Sequence, residues 1–173
     1  MYQILYKFLK KFFKDHHLFK YGFNLSPMYR RSVGKVMEVS ANLHYVKVAI
    51  PLNYKNRNYV GAIFGGSLYS ATDPIFMIQL MQILGDSYVV WDKSSIIKYK
   101  RPARSTVYAE FEFSDQEIND IKQQVEDSNE IDIVKKLDLV TATGEICTQL
   151  EKTLYIATKA FYKKKLLSKQ SKK

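Results

Sequence analysis

Residues Asn58 to Leu84 read NYVGAIFGGSLYSATDPIFMIQLMQIL, and the rest of the chain is arranged around them. After the glycine pair Gly65-Gly66 the run is apolar nearly all round, with Asp73 its only charge. A helix of that kind is enclosed by its own domain rather than lying on its surface. It is not a membrane span, because Gly65, Gly66, Asp73, Pro74, Gln79 and Gln82 interrupt it and no stretch of about 18 apolar residues exists. Gly85-Asp86 marks its stop.

On either side the pattern changes to alternation. Val33 to Leu52 reads as two strands with a turn near Ala41 and Asn42, and Val46, Val48 and Ile50 share one face. Asn53 to Asn58 is a polar loop into the helix. Tyr88 to Tyr99 is a long strand, and Arg101-Pro102 turns it into a strand over Thr106 to Phe113. Residues 115–127 are acidic and read as a short helix. Ile131 to Thr143 and Glu145 to Thr158 form a final hairpin around Thr143-Gly144, a standard tight-turn pair. The order is two strands, long helix, two strands, short helix, two strands. This predicts an α+β fold in which one antiparallel sheet wraps one long central helix.

The 173 residues suit one domain with tails: a basic N-terminal helical region over 1–30, a body over 31–158 and a basic tail over 159–173. Cys147 is the single cysteine, so no disulfide forms within the chain and a reducing cytoplasm is the expected setting. The net charge of +10 belongs to the ends. Residues 1–35 carry eight Lys and Arg against Asp15 alone, residues 159–173 carry seven Lys and no acid, and the body between them is mildly acidic. With 22 Lys to 5 Arg, reading of nucleic-acid sequence is not expected. Met1 to Lys20 has no unbroken apolar stretch or cleavage site of a signal peptide. On a helical wheel Gln3, Lys7, Lys10, Lys11 and Lys14 share one stripe, so this segment predicts an amphipathic basic helix. It can dock on its own domain, touch an anionic lipid surface weakly, or meet an acidic protein.

At residues 58–73, a glycine pair opens the helix and an acid follows seven residues after the second glycine. That run resembles the helix signature of the hotdog-fold thioesterases. Asp73-Pro74, Val90-Trp91-Asp92-Lys93 and Tyr99-Lys100-Arg101-Pro102 are similar to a bacterial branch of that superfamily, a domain of unknown function. The resemblance covers about residues 30–158. It implies a hotdog fold, acyl thioester substrates such as acyl-CoA, and sites built across a homodimer or a tetramer. The phenylacetate-pathway type carries a His immediately before the glycine pair, where this chain has Phe64.

Thioester hydrolysis needs a group to receive the oxyanion and a base to activate water. Backbone N–H groups at a helix N-terminus supply the first, and Gly65 and Gly66 let a carbonyl approach them without a Cβ in the way. Asp73 is the only acid in the segment and the candidate base, expected in apolar surroundings. Seven residues put it about 10 Å along the helix from Gly66, too far for one carbonyl to touch both. The second half must then come from another copy.

Plainer roles compete with each of these. Thr72-Asp73-Pro74 also looks like a helix cap or a kink, and the glycines also suit close packing against the sheet. Asn58 is a candidate to hold the carbonyl or the water, or a simple turn residue. Ser67 and Thr72 stand beside the motif, and such hydroxyls often bond back to their own helix. Asp92 suits pairing with Lys93 or with a base on a neighbouring strand. Lys98, Lys100, Arg101 and Arg104 form a basic cluster fit for the phosphates of coenzyme A, or a solvated strand end. Phe64 and the apolar helix face are available as walls. His16, His17 and His44 have no companions at metal-ligand spacing, so neither a metal nor another cofactor is expected. Cys147 is expected to be a buried apolar residue. The alternative to hydrolysis is a protein that binds acyl chains or acyl thioesters without cleaving them.

Overall fold

The computed structural model describes residues 9–170. Six strands form one antiparallel sheet: β1 (Lys35–Val39), β2 (Tyr45–Ile50), β3 (Tyr88–Tyr99), β4 (Val107–Glu112), β5 (Glu130–Thr141) and β6 (Ile146–Thr158). Their spatial order is β1-β2-β4-β5-β6-β3, so β1 and β3 are the edges. The expected alternation is visible as burial. Val46, Val48 and Ile50 of β2 and Val107, Ala109 and Phe111 of β4 are buried on the face that meets the helix. Phe76 from that helix meets Phe111 and Phe113 edge-on, with ring centroids 4.8 and 5.7 Å away. This sheet wrapped on a central helix is the hotdog arrangement.

The central helix differs from the single long element the sequence suggests. It is divided into α3 (Gly65–Thr72) and α4 (Ile75–Leu84). Asp73 and Pro74 keep helical backbone angles, but Pro74 has no N–H to continue the ladder. Gly85, at φ 80°, ends it. The acidic segment expected as a helix over 115–127 is α5 (Asp115–Ser128), the longest of the described helices. Its length follows from good ends and one face: the Ser114 hydroxyl accepts from Glu117 N–H at 3.0 Å, Ile118, Ile121 and Val125 are buried, and Asn129 closes it in the left-handed region.

Before the sheet lie α1 (Asp15–Leu25) and α2 (Pro27–Arg30). Part of the expected basic helix falls on residues 1–8, outside the described residues. Within them, the chain turns over residues 10–13 and Lys14 is extended, so the helix begins at Asp15 rather than continuing through the lysine stripe. It docks on the body through Phe19 and Phe23. The Tyr29 hydroxyl, whose ionisation burial opposes, donates to the Ala71 carbonyl at 2.9 Å. The basic tail forms α6 (Lys159–Gln170). No helix of the described residues is long and apolar enough to cross a membrane.

Candidate active site

The loop into α3 is built by two side-chain amides, of which Asn56 is buried. The Asn56 side chain donates to the Pro51 carbonyl and accepts from Asn53 N–H, both at 2.9 Å, while its own carbonyl accepts from Phe64 N–H at 2.7 Å. Asn58 Oδ1 accepts from Val60 N–H at 3.1 Å and Ala62 N–H at 2.9 Å. That oxygen is occupied in holding the turn, as the plainer reading of Asn58 expects. The Arg104 guanidinium donates to the Val60 carbonyl at 2.9 Å and clamps the same loop from outside.

This loop delivers the chain to Gly65 with the helix end open. Ser67 and Leu68 N–H both bond to the Phe64 carbonyl, and among the described residues the N–H groups of Gly65 and Gly66 have no partner. Two aromatic rings stand over them. A Cβ on Gly65 would come within 2.8 Å of the Tyr99 ring, and one on Gly66 within 2.3 Å of the Phe64 ring. A side chain at either position would have to displace the ring above it, whether or not the glycines also face a ligand. Beside them opens a pocket of about 400 Å³ lined by Asn58, Gly65, Leu68, Tyr99, Lys100 and Arg101, among others.

The structure therefore gathers Asn58, Gly65, Lys100 and Arg101, and sets Gly66 and Phe64 at the rim. It does not gather the rest. Lys98 alternates to the opposite sheet face from Tyr99, and Arg104 is engaged with the loop. Arg101 also pairs with Glu145. Ser67 is buried. The Thr72 hydroxyl is turned back, donating to the Leu68 and Tyr69 carbonyls at 3.0 and 2.9 Å.

Asp73 does not line this pocket. It stands at the break between α3 and α4, as the kink reading expects, but its carboxylate takes no capping hydrogen bond, and Oδ1 lies 2.8 Å from Lys152 Nζ. Lys152 is fully buried, and its ammonium also donates to the Asp73 main-chain carbonyl and lies 3.0 Å from Asp92 Oδ2. One ammonium thus joins two carboxylates from the helix and the edge strand. Asp92 pairs with a base on the neighbouring strand, while Lys93 pairs with Asp132. Burial pushes the Asp92 carboxyl above its ordinary value, with the Asp73 charge adding to this and Lys152 opposing both. Asp92 Oδ1 is buried with no hydrogen-bond partner among the described residues. The apolar surroundings expected for Asp73 are absent, since its side chain is 41% exposed and faces a cation.

A bulge makes this cluster. The β3–β6 register shifts between Asp92 and Ser94, opposite Leu154 and Thr153. Val90 and Asp92 face the helix before it, and Ser95, Ile97 and Tyr99 after it. Ser95 accordingly meets the Tyr69 hydroxyl at 3.2 Å, and Tyr99 reaches Gly65. Lys152 was missed as a site residue although a signal existed: it occupies the inward phase of Leu150, Leu154 and Ile156, where an ammonium needs a carboxylate partner.

Among solved structures, the chain is similar to a Pseudomonas aeruginosa protein of unknown function described as a probable thioesterase, at 17% identity over 83% of this chain and 93% of that one, with a TM-score of 0.69. It is also similar to a protein of unknown function from Chlorobaculum tepidum, at 15% identity over 80% and 91% with a TM-score of 0.65. A thioesterase from Haemophilus influenzae matches at 15% identity over 79% and 87%, with a TM-score of 0.57. At these identities the likeness is one of fold. No curated protein matches the sequence. The model of one protein family, Domain of unknown function (DUF4442), matches residues 15–156. With the glycine-opened helix and the wrapped sheet both in place across those residues, the chain belongs to the DUF4442 family.

Proposed function

We propose that the protein hydrolyses acyl thioesters, such as acyl-CoA, in a dimer where Asp73 of one copy faces the Gly65-Gly66 notch of the other. The observation that carries this reading is the open helix end: two unpartnered N–H groups at the positive end of a helix dipole, beside a pocket with Lys100 and Arg101 at its mouth. Those N–H groups receive the carbonyl oxygen of the thioester as it gains charge. Asp73 takes a proton from water while the water oxygen bonds to the carbonyl carbon. The C–S bond then breaks, and the sulfur leaves as a thiolate that needs no proton to depart.

Dimerisation is supported by β3, whose outer side has no strand beside it among the described residues and carries Trp91 and Ile96, each about half exposed. Lys152 holds the Asp73 carboxylate in one orientation. The same ion pair favours a second reading, a protein that binds acyl thioesters without cleaving them, because it engages the candidate base.

Acyl-CoAs of several chain lengths, assayed with wild type and Asp73→Asn, test the proposal. We expect the variant to lose about 100-fold or more in kcat with substrate binding kept. Equal turnover in the variant removes Asp73 from the chemistry, and binding without turnover by wild type selects the second reading.

A further inference from the structure

The N-terminal helices carry a surface that the thioester reading does not use. Along α1, between it and the turn before it and reaching Gln82 of α4, lies a cleft of about 580 Å³ whose walls include Leu9, Phe13, Leu18, Phe19, Phe23 and Pro27. Its rim is apolar as well: Leu25 is 71% exposed, Met28 on α2 is 60% exposed, and Phe13 and Tyr21 each exceed half. Apolar side chains grouped in this way mark a contact surface rather than scattered exposure.

At Pro27 the cleft adjoins a second hollow of about 320 Å³ lined by Pro27, Arg30, Arg31 and Lys55. A third, of about 450 Å³, shares Arg30 and Lys55 with it and adds Lys35. Some bases elsewhere are matched, as Lys47 is with Glu110, Lys135 with Glu117 and Lys152 with its two aspartates, while others, such as Lys98 and Lys163, stand without an acid among the described residues. Among the described residues, none of Arg30, Arg31, Lys35 and Lys55 has an acidic partner. Arg30, Arg31 and Lys55 thus stand in the hollow next to the apolar cleft, with Lys35 one hollow further on, and Leu25 and Met28 protrude on the same face. The complementary partner joins an aliphatic part to an anionic head at one boundary.

We propose that this face docks on an anionic phospholipid surface, with Leu25 and Met28 entering the acyl boundary and Arg30, Arg31 and Lys55 meeting lipid phosphates. Apolar insertion and attraction to anionic headgroups add together in such contacts. The inference is independent of thioester hydrolysis, and its test needs no turnover.

The full chain is floated with vesicles of phosphatidylcholine alone and with an equal mixture of phosphatidylcholine and phosphatidylglycerol. We expect binding to the mixture only, falling steeply as salt is raised. Arg30→Gln with Arg31→Gln should weaken it by about 30-fold, and Leu25→Ser with Met28→Ser by about 10-fold. The charge-matched control Lys163→Gln with Lys164→Gln on α6 should bind as wild type does. All four substituted side chains in the two test variants are exposed, so thermal melts should coincide with wild type. The proposal is overturned by absence of binding to the mixture, by equal binding to both vesicles, by full affinity in the Arg30/Arg31 variant, or by an equal loss in the α6 control.

Discussion

The two edges of the sheet are finished differently. At β1 the edge is closed by a side chain. The Asn24 amide on α1 donates to the Val36 carbonyl and accepts from Val36 N–H, each at 2.8 Å, as a neighbouring strand would. At β3 an edge more than twice as long, 12 residues against 5, has no such cover among the described residues. A long unpaired edge invites strand pairing, and proteins that must stay single blunt it. This protein blunts one edge and leaves the other, the one that carries Asp92 and the ring over Gly65. If the proposed dimer forms, the contrast makes β3 the side for the second copy.

The sharpest way to break this contrast is to place acids on the open edge. Trp91→Glu with Ile96→Glu sets like charges against each other across a twofold axis. Light scattering should then report the monomer mass, and thioester turnover should fall with it. A dimer that persists would refute the assignment of the edge.

Next in size is the cation behind that edge. Lys152→Ala leaves Asp73 and Asp92 facing each other without their ammonium, and should cost about 3 kcal/mol in denaturant unfolding. Lys152→Met, which keeps the volume but also lacks the charge, should recover little of it.

On the closed edge, Asn24→Ala strands both main-chain groups of Val36 and should cost about 2 kcal/mol with the assembly mass unchanged. A change in mass there would mean that both edges recruit partners.

The smallest effect is in pH dependence. The folded Asp92 carboxyl lies above its ordinary value of 3.8, so the folded state binds its proton more tightly than the unfolded chain does. By linkage, stability from this group is greatest at low pH and declines as pH rises from that ordinary value through the folded one. Asp92→Asn should remove this part of the decline in unfolding curves taken across the window. An unchanged pH profile would show that Asp92 is not the group responsible.

Much of the architecture was legible from period and punctuation. The alternation of Val46, Val48 and Ile50 and the stop at Gly85 correspond to real elements, and Cys147 is buried as its strand context suggests. Less was legible at the site. Gly65 and Asn58 lie in one sequence patch and Lys100 and Arg101 in another, and the fold brings the two to one pocket. Thr72 and Arg104 share those patches, yet their polar atoms are spent on neighbouring carbonyls. Residue type cannot report that, because whether a hydroxyl or guanidinium is free depends on which carbonyl the fold leaves within reach.

By itself the sequence determined which segments would be buried, the chain order of strands and apolar helix, and the stop of that helix at Gly85. These depend on local period and on glycine punctuation, and both are written residue by residue. Only the tertiary structure decided that Asp73 would meet a lysine 79 residues away, that a bulge would turn Asp92 toward the same ammonium, and that one sheet edge would be sealed while the other stayed open. Each of these follows from strand register and helix placement, where a shift of one residue reverses which side chains face the core.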